Sequence, residues 1–324
     1  PDTKGMIGMA QMKQMKKGVR LVNCARGGII AEEDLAEAVK QGIVAGAAID
    51  VYTSEPVGLD HPLVGVPGIV LTPHLGASTV EAQIGVSLDV SKGILAALKG
   101  EPVSTAVNMA PVSPQVMKVI APYLTLAERL GGTVTALAEG PVEKVEVIYN
   151  GEITEVNTGM LTTAVIKGML NPIMENEVNY VNAPGLAKER GIKVTEVKEK
   201  EVEDFTNLIT VKAMIGGKEL AVQGTLFGTE GRIVRINKFR VDVDPHARIL
   251  VCPHINRPGV IGTVGTLLGG KNINISGMQV GKTEVEGTNL MVLTIDNDIP
   301  SDVMESVKAI DGIFDAKIVN FYAI

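Results

Sequence analysis

The chain has 324 residues, too many for one ordinary domain, and 45% of them are hydrophobic, enough for two or three cores. Charged residues make up 21%, which excludes a disordered polyelectrolyte; aromatics are only 3%, with no Trp, so cores must be built from Val, Ile, Leu, Ala and Met. A net charge of −7 without a long basic run argues against nucleic acid and anionic membranes as partners.

Cys24 and Cys252 lie far apart and offer no metal-ligand spacing, so no metal site and no disulfide framework are expected. No apolar run reaches the roughly 18 residues of a membrane span, and no signal-peptide apolar region opens the chain. The reading is a cytoplasmic protein. The first residue is Pro, and PDTKGMIGMAQMKQMKKG reads as a loop and a helix leading into a strand, so the chain is expected to begin in mid-domain.

In chain order, VRLVNC reads as a strand. AEEDLAEAVKQG reads as a helix, with Leu35, Ala38 and Val39 at helical spacing, acids in its first turn and Gly42 as its stop. VAGAAIDVY and IVLTP read as strands on either side of a Pro/Gly-rich loop, and a longer helix is predicted from about Thr79 to Lys99. Near-continuous apolar strands joined by crossover helices predict a parallel sheet covered on both faces, whose ligands bind beyond the carboxyl ends of its strands. LVNCARGGII, GAAIDVYTSEP and GIVLTPHLGAS each end an apolar run in polar groups: Arg26, then Asp50 and Glu55, then His74.

Residues 100–111 read as a crossing segment. From 112 to 245 the texture is α+β: a long helix over VSPQVMKVIAPYLTLAERLGGTVTAL, an alternating strand in VEKVEVIYNG, helix with proline interruptions, then several strands with glycine turns. Residues 246–324 follow the order βαββαβ of the ferredoxin-like split motif, with a hairpin turning near Val285-Glu-Gly287.

The chemistry of the first segment is read residue by residue. Arg pairs bidentately with a carboxylate and polarises a neighbouring carbonyl. His removes the proton of an alcohol as hydride leaves its carbon. A carboxylate bonded to that His fixes its tautomer. Each of Arg26, Glu55 and His74 alone is most simply structural; their arrival at successive strand ends is what carries the functional reading.

NCARGGII, AAIDVYTSEP and LTPHLGASTVEAQ, in that order and spacing, resemble the signature series of the D-2-hydroxyacid dehydrogenases, and within them the long branch that acts on 3-phospho-D-glycerate. PDTKGMIG resembles the segment upstream of the Arg strand. The resemblance implies that Arg26 binds substrate, His74 is the acid/base and Glu55 orients it. It places the nicotinamide end of NAD against Cys24, Ala25, Arg26, Asp50, His74, Gly76 and Ala77.

The family's GxGxxG phosphate loop and the acidic residue after it are absent from these 324 residues, as is its preceding substrate domain. The chain is therefore read as a C-terminal portion, expected to be inactive alone. A clear NADH signal with phosphohydroxypyruvate from these residues by themselves would overturn that.

CPHINRPGVIGTVGTLLGGKNINI resembles an ACT domain, a small-molecule regulatory module, whose serine contacts map to His254, Asn256 and Asn274. VNYVNAPGLAKERGI resembles the intervening domain of the same long branch. In GRIVRINKFRV, Lys238 and Arg240 would share a strand face and are open to two readings: solvated edge charges, or an anion site for a phosphorylated metabolite.

The fold expected is thus α/β with a partial Rossmann-like parallel sheet (1–99), a linker (100–111), an α+β intervening domain (112–245) and a βαββαβ ACT domain (246–324). The resemblance implies a homo-oligomer, a tetramer, with L-serine as effector. Two alternatives are another D-2-hydroxyacid dehydrogenase and a non-catalytic amino-acid sensor built on the ACT module.

Overall fold

The computed structural model describes residues 2–99, 103, 105–107, 112–202, 204–282 and 287–323. Most of the predicted crossing segment 100–111, and Val285 and Glu286 of the predicted hairpin turn, lie outside the described residues. The chain forms two compact units, residues 1–94 and 95–324.

The first unit holds a three-stranded parallel sheet of β1 (Arg20–Asn23), β2 (Gly46–Ile49) and β3 (Ile69–Leu71), in sequential order. Asn23 aligns with Ile49 and Ile49 with Leu71, so all three strands end at one edge. Before β1 the predicted helix is a single turn, α1 (Met9–Met12). Between β1 and β2 runs α2 (Glu32–Lys40), with Glu32, Glu33 and Asp34 in its first turn, where they complement the helix dipole. Gly42 adopts φ 71°, a left-handed stop that favours glycine. Leu35, Ala38, Ile49 and Leu63 make the buried centre. The strands are shorter than the apolar runs: β2 stops at Ile49, where Asp50 N still donates to the Asn23 carbonyl at 3.0 Å while its side chain turns to Leu75 and Gly76. Then follows α3 (Val80–Leu98), which buries no residue.

The second unit begins with α4 (Pro114–Leu137), N-capped by Ser113, whose Oγ accepts from Val116 N at 3.3 Å. Then come β4 (Val142–Gly151), α5 (Gly159–Leu170), α6 (Ala183–Glu189), β5 (Lys193–Glu199), β6 (Asn207–Ile215), β7 (Lys218–Phe227), β8 (Glu230–Ile236) and β9 (Phe239–Val243). These strands form a six-stranded sheet ordered β5-β4-β6-β7-β8-β9. Where α4 and α5 cross, Gly131 and Gly168 leave no room for a Cβ against the opposing backbone. The close approach explains two glycines inside helices that propensity would otherwise disfavour.

The chain ends in β10 (Arg248–Ile255), α7 (Val260–Gly270), β11 (Ile275–Gly281), β12 (Thr288–Ile295), α8 (Ser301–Lys308) and β13 (Lys317–Asn320), a four-stranded sheet ordered β11-β12-β10-β13. This is the predicted βαββαβ order. Alternation along β10 sorts its side chains. Leu250 and Cys252 pack with α7 and α8 through Val260, Val264, Val303 and Val307. Ile249 and Val251 join the core that α4 and the six-stranded sheet build around Ile120, Leu130 and Val211. The two segments read separately in the sequence therefore share one hydrophobic core. No helix among the described residues is long and apolar enough to cross a membrane.

Candidate active site

The carboxyl edge of the three-stranded sheet is built by three turns that lock onto one another. After β1, buried Asn23 shapes the first: its Oδ1 accepts from Ala25 N at 3.1 Å and its Nδ2 donates to the Arg26 carbonyl at 3.0 Å. Asn23 was not singled out in the sequence, although Asn at a strand end is a signal for such a turn. Gly27 then passes so close to the next strand end that a Cβ there would sit 2.6 Å from Thr53 N and closer still to the Tyr52 carbonyl.

After β2, Asp50 is 5% exposed and organises the third turn. Its Oδ1 accepts from Thr72 Oγ1 at 2.5 Å and Leu75 N at 2.7 Å, and its Oδ2 from Gly76 N at 2.9 Å. These bonds hold the backbone on both sides of His74, a non-glycine residue at φ 57°. Such a conformation costs of order 1–3 kcal/mol and persists only where surroundings over-determine it. Asp50 supplies that constraint. The donation from Thr72, Leu75 and Gly76 draws its pKa below the usual carboxylate range.

His74 Nδ1 lies 2.8 Å from Glu55 Oε2, and Glu55 Oε1 accepts from Tyr52 N at 3.0 Å. The His74 bond, then the Tyr52 N–H, lower the Glu55 pKa, so Glu55 is ionised at neutral pH. An ionised carboxylate only accepts, so His74 Nδ1 carries the proton and Nε2 keeps its lone pair. Both side chains stay open to solvent, at 48% and 37% exposure, as a site for an incoming reactant requires. They border a cavity of about 610 Å³ with Tyr52, Val57, Leu71 and Thr72.

Beneath them, Tyr52 Oη donates to the carbonyls of Ile49 and Thr72, both at 2.9 Å. Glu32 accepts from Thr53 N at 2.7 Å and meets His61 Nε2 at 3.2 Å, so His61 braces the Glu55 turn from behind.

Arg26 is exposed at the same strand edge, where its Nη1 donates to the Ala25 carbonyl at 2.7 Å. Among the described residues no hydrogen bond or ion pair joins it to Glu55 or His74. The structure therefore brings Asp50, Glu55 and His74 into one network, and Arg26 to the rim beside it. Cys24, Ala25, Gly76 and Ala77 are exposed along that rim. Asp50 has three of its about four acceptor positions filled, which leaves one for an amide such as a carboxamide. An open rim of backbone groups with one spare carboxylate acceptor fits the nicotinamide end of a dinucleotide.

The depressed carboxylates set a pH dependence. A group whose folded-state pKa is lowered stabilises the fold above its unfolded value, and that contribution is lost as pH falls through the depressed value. From the ordinary Asp value of 3.8 downward, the His74 turn is expected to loosen. Acid unfolding followed by NMR of the Leu75 and Gly76 amides checks this. Asp50→Asn is expected to flatten that acid limb.

The other predicted residues fall elsewhere. Lys238 does not share a strand face with Arg240: it sits in the β8–β9 turn beside Asn237 (φ 51°), because that two-residue hairpin needs a left-handed position. Lys238 Nζ lies 5.5 Å over the Phe239 ring, and Arg240 pairs with Asp204 at 2.5 Å. His254 is 1% exposed; its Nδ1 donates to the Ile255 carbonyl at 2.8 Å, and its Nε2 is buried without a partner. Asn256 is exposed just beyond β10. Asn274 bonds Asp296 at 2.5 Å, at the far end of β12 from Asn289, the residue that aligns with His254. At about 3.3 Å per residue, Asn274 and His254 stand roughly 20 Å apart in one chain, so a single chain does not assemble the three.

Residues 1–76 match the D-isomer specific 2-hydroxyacid dehydrogenase, NAD binding domain; residues 119–237 match the D-3-phosphoglycerate dehydrogenase intervening domain; residues 249–312 match the ACT domain. The D-3-phosphoglycerate dehydrogenase of Archaeoglobus fulgidus is 42% identical over 317 residues, covering 97% of this chain and 60% of that protein. Those of Methanocaldococcus jannaschii and Bacillus subtilis are 38% and 39% identical over 320 residues, covering 99% and 98% of this chain and 61% of each relative. The chain thus spans about 60% of the length of these relatives.

Proposed function

Because this chain belongs to the D-3-phosphoglycerate dehydrogenase family, we propose that the protein carrying it oxidises 3-phospho-D-glycerate to 3-phosphohydroxypyruvate, the first step of L-serine synthesis. The observation that carries the proposal is the 2.8 Å His74–Glu55 pair at the strand ends, with His74 Nε2 left free to take a proton.

When bound, NAD supplies the hydride acceptor; Asp50, Cys24, Ala25, Gly76 and Ala77 would hold its nicotinamide end. His74 takes the hydroxyl proton at Nε2, and ionised Glu55 stabilises the imidazolium that forms. Arg26 holds the substrate carboxylate and opposes charge developing on the carbonyl oxygen. Its exposed guanidinium at the rim supports that role. Appearance of NADH on adding 3-phospho-D-glycerate and NAD to the purified full-length protein that carries these residues is the test, and no NADH above a protein-free control would refute the reading.

L-serine is the proposed effector, held by His254 and Asn256 of one chain and Asn274 of another. The separation of these residues within one chain supports a site completed between copies, hence a homo-oligomer, and by resemblance a tetramer. The free thiols of Cys24 and Cys252 suit a reducing cytoplasm. Titration calorimetry is expected to show serine binding that Asn256→Ala abolishes; unchanged binding in that variant would remove Asn256 from the site. Lys238, in the β8–β9 turn, and Arg240, which pairs with Asp204, are retained as an anion-site proposal.

A further inference from the structure

Between the six-stranded sheet and the four-stranded sheet of the second unit lies a cavity of about 250 Å³, lined by residues from Leu137 to Lys317 and by none of the first unit. Its floor is apolar: Leu220 of β7, Phe239 of β9, Val251 of β10 and Leu290 of β12. Its rim is charged, with Lys218 and Lys317 facing Glu139, Glu219 and Asp315. Neither the proposed reaction nor the proposed serine site uses any of these residues.

The rim selects the ligand. Two lysines stand among three carboxylates, so the mouth carries no excess of positive charge and does not suit a phosphate or a phosphorylated metabolite. Yet the ion pairs are long. Glu139 stands 3.7 Å from both Lys218 and Lys317, and Asp315 stands 3.6 Å from Lys317. These separations exceed hydrogen-bond length. The one short bond is Lys317 Nζ to the Leu137 carbonyl at 2.7 Å, at the end of α4, where a cation favours the helix dipole. The remaining protons of both lysines and the Glu139 oxygens are thus free to take a partner carrying both charges. The volume is below the roughly 300–1,000 Å³ that holds drug-sized ligands.

We infer that this cavity binds a free α-amino acid with an aliphatic side chain. Its ammonium lies between Glu139 and Asp315, its carboxylate meets Lys218 and Lys317, and its side chain rests on Leu220, Phe239, Val251 and Leu290. A molecule so placed touches α4 and β7 on one side and β10 and β13 on the other. It therefore stabilises the docking of the ACT segment on the intervening segment, since anything that binds only the assembled form favours it. The inference stands independently of the dehydrogenase reading, because its test measures binding and not turnover.

The experiment is calorimetric titration of the 324-residue chain with L-leucine, L-valine and L-methionine, with thermal unfolding in parallel. Saturable binding and a raised melting temperature are expected for at least one of them. Glu139→Gln, at an exposed position, is expected to weaken it about tenfold or more through loss of a charge-assisted bond. Leu220→Trp, which fills the floor, is expected to remove it. The deaminated analogue 4-methylpentanoate is expected to bind at least about tenfold more weakly than L-leucine, for the same reason. No saturable binding of any of the three amino acids would overturn the proposal. So would binding that survives both substitutions, or that is lost in Asn256→Ala and kept in Glu139→Gln.

Discussion

In the full-length protein that carries these residues, replacing His74 with Gln is expected to lower the proposed NAD-dependent oxidation of 3-phospho-D-glycerate by about 100- to 10,000-fold, the usual range for loss of a positioned acid/base. The reasoning begins at Glu55. Its pKa is lowered by the His74 bond and by the Tyr52 N–H, so it stays ionised and accept-only at neutral pH. That fixes the His74 proton on Nδ1 and leaves Nε2 as the only ring atom able to remove a proton. Gln fills similar space and still bonds Glu55, but has no basic nitrogen. The expected loss falls on kcat, with substrate KM changed little. Glu55→Gln provides the control: its amide can donate to Nδ1, which moves the ring proton to Nε2, the wrong tautomer for a base. A loss of similar order is expected there, while Glu55→Asp is expected to recover part of it. Steady-state rates within a few-fold of the unsubstituted protein in both His74→Gln and Glu55→Gln would remove the pair from the chemistry.

Gly27→Ala is expected to be the most damaging single-methyl addition at the site. The new Cβ would lie 2.6 Å from Thr53 N and closer to the Tyr52 carbonyl, both backbone atoms of the turn that leads to Glu55. Neither side can yield without cost. Tyr52 is tied by its hydroxyl to Ile49 and Thr72, and Thr53 by its N–H to Glu32, itself braced by His61. The Arg26–Gly28 turn is pinned by Asn23. Overpacking of this kind costs about 1–3 kcal/mol, and a displacement of about 1 Å at a reacting centre can cost on the order of 100-fold in rate. Denaturant unfolding should show the stability loss. The rate should fall further than in a variant of equal stability loss made far from the site, such as Leu130→Val in the second unit. Equal falls in the two would mean that Gly27 matters only for folding.

Sequence periodicity placed most elements of the fold correctly, and the reasons are local. The acids opening α2, Gly42 closing it, and the βαββαβ order from 246 onward are properties of neighbouring residues and need no distant partner. The motif series likewise singled out Arg26, Asp50, Glu55 and His74 together, because strand ends in a parallel sheet converge by topology.

The strands end earlier than the apolar runs, at Ile49 and Leu71; beyond them the Asp50 and Thr72 side chains bond each other while both backbone N–H groups still donate to the neighbouring strand. Lys238 was misplaced because a two-residue hairpin interrupts a run that reads as one continuous strand. The shared core of the intervening and ACT segments was not legible either: which face of β10 meets α4 depends on contacts more than a hundred residues away.

What the sequence determined by itself was therefore the order of elements and the chemical kind of each site residue, because both are encoded at helical or strand spacing. Only the tertiary structure decided how those residues are arranged. It fixed the His74 tautomer through Glu55, gave Asp50 the task of holding the His74 turn, left Arg26 at the rim, and set Asn274 and His254 at opposite ends of one sheet. Each of those outcomes rests on hydrogen bonds and strand registers between residues distant along the chain, which local spacing does not contain.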